Sequence, residues 1–275
     1  PPPPPPPPPI LRSRRPPRST PKTHRRQRQM CIRDRAHTHD THDTAVHTVK
    51  SGTREIKVVR RVLDVNDQMA EKNRQLFADH GIFVLNVMSS PGSGKTTTLE
   101  KTLARIMPEI GCAVIVGDIC TTNDADRLAV SGAPVVQVNT DEFGGDCHLA
   151  AHVIEKALGG IDLHGIQLLI VENVGNLVCP AEFDIGEDAR VVILSVTEGE
   201  DKPLKYPLMF RECDVAILNK TDLLPYLDFD MAEAVKNIRQ IHPDMPIIEM
   251  SSKTQEGMAP WLEWLKQQVE KKQTV

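Results

Sequence analysis

The chain has 275 residues, of which 40% are hydrophobic and 25% charged, a composition normal for one or two globular domains. No apolar run approaches the ~18 residues that a membrane-spanning helix needs, and the N-terminal segment lacks the apolar core of a signal peptide. We therefore expect a cytoplasmic protein without a membrane partner. In that reducing setting the six Cys are expected to be free thiols or metal ligands rather than disulfides.

Charge is distributed unevenly along the chain. Residues 1–35 hold nine Arg and one Lys against one Asp, a balance of +9, whereas the whole chain has a net charge of −4. Residues 36–275 therefore carry a net charge of −13. An acidic body argues against a nucleic-acid-binding surface, so we expect no nucleic-acid partner.

The N-terminal segment cannot build a core. Residues 1–54 are predicted to be a disordered, low-complexity tail. Within it, residues 1–35 end in a string that resembles translated sequencing-adapter read-through, so we leave them out of the fold assignment. Residues 36–50 are rich in His and either collect divalent metal weakly or form a solvated linker. The His residues are His37, His39, His42 and His47.

Residues 55–275 show the pattern of a folded domain with a helical lead-in. Residues 58–65 predict a short strand or a helix start, followed by a helix capped at Asn66 or Asp67 and ended near Gly81. Beyond that, continuous runs of Val, Ile and Leu alternate with amphipathic stretches. Such runs indicate strands buried on both faces, so the predicted fold is α/β, a mostly parallel sheet covered by helices on both faces.

The individual elements follow from these runs. Strands are predicted at residues 82–88, 113–116, 134–138, 167–171, 191–196, 214–218 and 246–250. Helices are predicted near residues 95–107, 123–131, 148–158, 204–212, 230–241 and 258–271.

The first strand leads through a Gly-rich turn into a helix, which is the context that a phosphate-binding loop requires. Gly92 and Gly94 free backbone N–H groups for phosphate oxygens, Lys95 adds charge at the β- and γ-phosphates, and the Thr96 hydroxyl can bind Mg²⁺. The motif G-x-x-x-x-G-K-S/T requires Gly where this chain has Ser89, and the alternative is a Gly-rich helix start with a chance Lys. The predicted nucleotide contacts are Pro91, Gly92, Ser93, Gly94, Lys95, Thr96 and Thr97.

Polar patches follow later strands and should meet this loop, because the carboxyl ends of parallel strands share one edge of a sheet. Asp118 ends a strand and suits Mg²⁺, although Asp also begins ordinary turns. Glu172 and Gly175 occupy the place of a second switch, where a carboxylate arranges Mg²⁺ or water and a Gly N–H contacts the γ-phosphate. The predicted catalytic set is Lys95, Asp118, Glu172 and Gly175, with Thr96 and Asp118 as Mg²⁺ ligands.

A second motif predicts which base is bound. Asn219, Lys220 and Asp222 match the N-K-x-D guanine signature, for which the alternative is a capped helix start. The Asp222 carboxylate can accept hydrogen bonds from N1–H and the exocyclic amine of guanine, two donors that adenine lacks there. Ser251 and Ser252 follow the last strand and can close over the base. The predicted cofactors are therefore GTP or GDP and Mg²⁺.

Cys147, His148 and Cys179 are candidate metal ligands on the same edge. Thiolate and imidazole suit Ni²⁺ or Zn²⁺, but three ligands do not close a site, so ordinary buried thiols remain an equal alternative. Two subunits that meet at a twofold axis would complete the coordination. The other Cys residues, which we interpret as core or incidental, are Cys112, Cys120 and Cys213.

Several rare strings occur together, among them LNVMSSPGSGKTTTLEKTL, QVNTDEFGGDCHLAA, VENVGNLVCPAEFDIGE and LNKTDLLPYLDFD. Residues 55–270 thereby resemble HypB, the GTPase family that helps to insert nickel into nickel–iron hydrogenase, and Ser89 fits that family's loop. The resemblance implies a dimeric GTPase of the SIMIBI class, with phosphate-loop NTPase fold, whose interface metal site uses Cys147, His148 and Cys179. It also implies HypA, in some cases SlyD, and the hydrogenase large subunit as partners.

Two departures from that family are visible. The chain has no Cys-rich nickel motif near its N-terminus, and the segment around residues 141–146 is slightly longer than the family's version. One alternative is the related GTPase that serves urease, in which we expect Cys-Pro-His rather than a Cys-His pair and a separate Cys-Pro. Another is a metal storage or sensing protein with vestigial nucleotide binding, against which the intact Lys95, Thr96 and N-K-x-D motif argue.

Overall fold

The computed structural model describes residues 52–118, 123–140 and 147–274. The basic segment, the His-rich tract, Cys120 and residues 141–146 lie outside the described residues, so the expectations about them stay predictions. Among the helices of the described ranges, none combines the length and the apolar character needed to cross a membrane.

Strands and helices alternate along the described chain. The strands are β1 (Phe83–Ser89), β2 (Cys112–Asp118), β3 (Val135–Asn139), β4 (Leu168–Glu172), β5 (Ala189–Ser195), β6 (Val215–Asn219) and β7 (Ile247–Glu249). The helices are α1 (Gly52–Asp79), α2 (Lys95–Ile106), α3 (Asn123–Ala129), α4 (Ala151–Leu158), α5 (Lys202–Lys205), α6 (Pro207–Glu212), α7 (Met231–Ile241) and α8 (Met258–Gln273). Short 3₁₀ helices lie at Cys179–Ala181 and Thr221–Tyr226.

The strands form one seven-stranded sheet in the order β3-β2-β4-β1-β5-β6-β7. Every neighbouring pair is parallel, which confirms the predicted parallel sheet. Val87 of β1 lies opposite Glu172 of β4 on one side and Val191 of β5 on the other. The carboxyl ends of β1, β2, β4 and β6 therefore share one edge of the sheet, and the polar loops that follow these strands meet there.

Helices cover both faces of the sheet because its strands bury side chains in two directions. Phe83, Leu85 and Val87 point into the core beneath α2, α3 and α8. Val84 and Met88 point to the opposite face, which is covered by α1 and α4 at one end and by α6 and α7 at the other. All seven residues of β1 are buried, which explains why five of them are apolar and why apolar and exposed polar residues do not alternate.

Two local predictions are wrong. One helix runs through from Gly52 to Asp79, so residues 58–65 are helical, the alternative to the predicted strand, but the predicted helix cap at residue 66 or 67 is wrong. The side chain of Asn66 instead accepts a hydrogen bond from Ala151 N and donates one to Asp184 O, so packing against other segments fixes it. The helix predicted at residues 204–212 is two short helices, because the proline ring of Pro207 excludes the helical conformation at Tyr206.

Candidate functional site

The phosphate loop connects the end of β1 to the first turn of α2. Gly92 and Gly94 have φ of 78° and 101°, a left-handed backbone that glycine adopts at little cost. A Cβ atom on Gly94 would lie 2.5 Å from Nδ2, the side-chain amide nitrogen of Asn219. Space as well as backbone conformation therefore requires glycine at the position where the loop turns into the helix.

Ser89 has a role in this loop that glycine could not fill. Its hydroxyl accepts hydrogen bonds from the ammonium of Lys95 at 2.9 Å and from the hydroxyl of Ser93 at 2.5 Å. It also donates to the carbonyl of Ser90 at 2.7 Å. Lys95 is buried, and desolvation lowers its pKa despite the nearby carboxylate of Glu172. The departure from the loop motif thus supplies a polar partner for a buried lysine.

A buried carboxylate lies beside the start of α2. The hydroxyl of Thr96 donates to Glu172 Oε1 at 2.8 Å, while Glu172 Oε2 is buried with no hydrogen-bond partner in the part of the chain that the structure describes. Burial raises the pKa of Glu172 to about 7, although Lys95 and Thr96 act in the opposite direction. Asp118 ends β2 on the same edge, and its charge acts on Lys95. A carboxylate oxygen in need of a partner is what a cation would satisfy.

The N-K-x-D motif follows β6 and contacts the phosphate loop directly. Asn219 donates to the carbonyl of Ser93 at 2.9 Å, and Lys220 donates to the carbonyl of Gly92 at 2.6 Å. Asn219 Oδ1 accepts hydrogen bonds from the amide and the hydroxyl of Ser252. The hydroxyl of Ser251 donates to Asp222 Oδ1 at 2.6 Å, which orients this carboxylate. The predicted base-binding residues from β6 and β7 therefore meet next to the phosphate loop.

The three candidate metal ligands form one cluster. One ligand atom from each of Cys147, His148 and Cys179 lies within 4.8 Å of the others, and all three residues are half-buried. The structure pairs the two cysteines as a disulfide, with Cα atoms 6.3 Å apart, so the expectation of unpaired thiols is wrong for these two. A disulfide sulfur is not a thiolate ligand, hence the cluster can bind metal only after reduction.

The remaining described cysteines are unpaired and buried, as predicted for core residues. They are Cys112 and Cys213, and burial raises the pKa of both thiols, that of Cys112 to about 12. Thiols with raised pKa values are poor nucleophiles and poor metal ligands, so Cys147 and Cys179 are the better metal-ligand candidates among the described cysteines.

Sequence reasoning missed several residues that support these sites. Phe183 stacks on the imidazole of His148 with ring centroids 3.8 Å apart. Asn176 donates to the carbonyl of Cys147 at 3.4 Å, and Asn173 accepts from the amide of Leu149 at 3.1 Å. Asn173 and Asn176 lie beside Glu172 and Gly175 in the sequence, so their polar side chains could have been singled out there. Their hydrogen-bond partners could not, because these are set by the tertiary fold.

A parallel sheet whose first strand leads through a phosphate loop into a helix, with an N-K-x-D motif beside it, defines a phosphate-loop nucleoside triphosphatase. A family model described as "CobW/HypB/UreG, nucleotide-binding domain" matches residues 83–249. The chain belongs to this family, and within it to HypB.

Relatives and solved structures support this assignment. The hydrogenase maturation factor HypB of Escherichia coli (strain K12) is 50% identical over 218 residues, which cover 79% of this chain and 74% of that protein. The probable HypB of Methanocaldococcus jannaschii is 37% identical, and the match covers 78% of this chain and 96% of that protein.

The fold is likewise that of solved HypB structures. HypB from Helicobacter pylori in complex with nickel has a TM-score of 0.69 at 38% identity, covering 75% of this chain and 95% of that one. HypB from Archaeoglobus fulgidus has a TM-score of 0.70 at 37% identity, covering 75% and 100%.

Proposed function

We propose that this protein is a GTPase that hydrolyses GTP to GDP and phosphate in order to deliver nickel during the maturation of nickel–iron hydrogenase. The observation that carries the proposal is the position of the thiol–imidazole cluster at the same sheet edge as the nucleotide site, joined to it by the segment that follows β4. The names of the relatives, and the nickel in the Helicobacter pylori structure, support this cargo and this pathway.

Hydrolysis in this site depends on positioning and charge rather than covalent chemistry. The ammonium of Lys95 and the backbone N–H groups of the loop bind the β- and γ-phosphates, and the N–H of Gly175 contacts the γ-phosphate. Glu172 positions the attacking water or the metal. These groups stabilise charge that develops on the transferred phosphoryl group.

Magnesium fits the residues present, because Glu172 Oε2 is a buried oxygen with no partner among the described residues. Thr96 and Asp118 would hold the ion, with Glu172 beside Thr96. When bound, Mg²⁺ neutralises charge on the phosphate oxygens.

Asp222 makes the site selective for guanine. Its carboxylate, oriented by Ser251, accepts two donors that only guanine presents. Bound adenine would leave this acceptor unpaired, and an unpaired charged group costs more than an ordinary lost hydrogen bond.

Nickel is the cargo of the reduced Cys147, His148 and Cys179 cluster, and Zn²⁺ is a second ion that these ligands suit. A homodimer formed through the metal-site edge would supply ligands from two chains. The expected partners are a HypA-like nickel protein, SlyD in some organisms, and the hydrogenase large subunit. A reducing cytoplasm would keep the cluster competent to bind metal.

Two assays test the proposal in the reduced full chain. The wild type should hydrolyse GTP, Lys95→Ala should lose at least about 100-fold in kcat, and Lys101→Ala in the same helix should not. Nickel titration should show binding that Cys147→Ala loses and that the core variant Cys112→Ala keeps. A wild type that binds nickel but hydrolyses no GTP would instead identify a metal storage protein.

A further inference from the structure

The segment from the last residue of β4 to the residue before the 3₁₀ helix at Cys179–Ala181, residues 172–178, contacts both sites. Its side chains are bound alternately to the nucleotide site and to the elements that carry the metal ligands. We call it the linking segment. It is short, so a displacement at one end of it cannot be absorbed by a long flexible loop.

Two contacts bind the linking segment to the nucleotide site. The carboxylate of Glu172 accepts the hydrogen bond from Thr96. Gly175 lies directly against the phosphate loop, because a Cβ atom on it would be 3.1 Å from backbone atoms of Pro91. Any rearrangement of the phosphate loop or of the Thr96 hydroxyl therefore acts on the linking segment without an intermediary.

Two asparagines bind the linking segment to the metal cluster. Asn173 Oδ1 accepts from the amide of Leu149 at 3.1 Å, one residue after His148. Asn176 donates to the carbonyl of Cys147 at 3.4 Å and accepts from the amide of Val178 at 2.8 Å, one residue before Cys179. Each ligand is thus held, through its own backbone or that of an adjacent residue, by one of these two side chains.

Asn173 is also fixed by hydrogen bonds to β1. Its side-chain amide donates to Asn86 Oδ1 at 3.2 Å, and the side-chain amide of Asn86 donates to Glu187 Oε1 at 3.1 Å. Asn173 and Asn86 are 1% and 0% exposed, so an unpaired group here would cost the full desolvation penalty. The chain of hydrogen bonds gives the asparagine one defined position rather than a range of rotamers.

We propose that Asn173 and Asn176 are positioning residues that transmit the state of the nucleotide to the metal cluster. A γ-phosphate contacting Gly175, and an Mg²⁺ ion held beside the Thr96–Glu172 pair, would displace the linking segment. The two asparagines then move Cys147 and His148 relative to Cys179, and nickel affinity changes with the nucleotide. This inference rests on the proposed function and names the residues through which its two sites are coupled.

The test is nickel titration of the reduced full chain, with Mg²⁺ and either GDP or a non-hydrolysable GTP analogue. The measured quantity is the ratio of the nickel dissociation constants in the two nucleotide states. We expect a ratio of at least about fivefold for the wild type, and a ratio within about twofold of one for Asn173→Ala and Asn176→Ala. Asn237→Ala is the matched control. Asn237 is also buried and its side chain also donates to a backbone carbonyl, that of Glu200, but neither residue belongs to the linking segment.

A purely structural role would weaken nickel binding equally in both nucleotide states and leave the ratio unchanged, and that result would overturn the proposal. Asn176 is only half-buried, so Asn176→Ala decides the question if Asn173→Ala does not fold. A wild-type ratio of one would also overturn it, while GTP hydrolysis and nickel binding by the same protein would leave the proposed function standing.

Discussion

Asn219 donates a hydrogen bond to the carbonyl of Ser93 at 2.9 Å and thereby joins the N-K-x-D motif to the phosphate loop. The same amide nitrogen is the atom that a Cβ on Gly94 would meet at 2.5 Å. The two motifs, 126 residues apart, are therefore held at a fixed separation. In the proposed GTP site, that separation would set the distance between the base and the phosphates.

Gly94→Ala should lower both stability and nucleotide affinity. A non-glycine residue at φ 101° costs about 1–2 kcal/mol, and the contact with Asn219 adds displacement of the guanine motif. Gly132→Ala is the control, because Gly132 has φ 87° but nothing within 4 Å of its Cβ position. Denaturant unfolding and GTP titration of both variants measure the effect. If both variants lost the same stability and kept the GTP affinity of the wild type, the side chain of Asn219 would move away from the new Cβ atom without disturbing nucleotide binding, and the prediction would be wrong.

Asp222→Asn should change the base preference from guanine to xanthine nucleotides. The amide presents a donor where the carboxylate presented an acceptor, so GTP affinity should fall by about 10–100-fold and XTP affinity should rise. Ser251→Ala, which removes the hydroxyl that orients Asp222, should lower GTP affinity less and leave the preference unchanged. Competition between labelled GTP and XTP measures this, and an Asp222→Asn protein that still prefers GTP would exclude the assigned base contact.

Glu172 should make the nucleotide-free, Mg²⁺-free protein less stable as pH rises. Burial raises the pKa of its carboxyl from 4.5 to about 7 in the folded state, so folding favours the protonated form. The stability it contributes is full below about pH 4.5 and is lost as pH rises through about 7, by roughly 3 kcal/mol at most. Glu172→Gln should flatten this decline in denaturant unfolding between about pH 5 and 8. Parallel pH profiles of the two proteins would refute the assignment.

Phe183→Leu should weaken nickel binding by about tenfold in the reduced protein, because the leucine keeps the apolar contact but loses the ring face that holds His148. Phe77→Leu is a control for the loss of a buried phenyl ring other than the one that stacks on His148. Isothermal titration with nickel measures the affinity. Should both variants bind as the wild type does, the stacking would have no part in orienting the imidazole.

The sheet could be predicted because its strands are buried on both faces, which leaves a continuous apolar run in the sequence. Val191 and its neighbours in β5 show this directly. The helix predicted near residues 230–241 begins, in the structure, where the side chain of Asp230 accepts a hydrogen bond from the amide of Glu233. The resemblance to HypB is confirmed by the comparisons with relatives and solved structures.

Other features were not accessible from sequence because distant partners decide them. Asn66 has the chemistry of a helix cap, yet it lies inside α1 and bonds to Ala151 and Asp184. Asn173 likewise has acceptor and donor groups that any turn residue has, and only the packed sheet shows that they bind Leu149 and Asn86. Local pattern thus predicts which residues are polar at a sheet edge but not which ones bond to each other.

The incomplete set of donors in the cluster has a kinetic consequence. In a single reduced subunit, three donors from Cys147, His148 and Cys179 would leave a fourth position of a four-coordinate ion open to an incoming group. Under the proposed function, a thiolate or imidazole of an acceptor would attach there before any of the three detaches, so the ion would be transferred by associative ligand exchange rather than released into water. A four-donor cage would hold the ion more tightly and would have to break first.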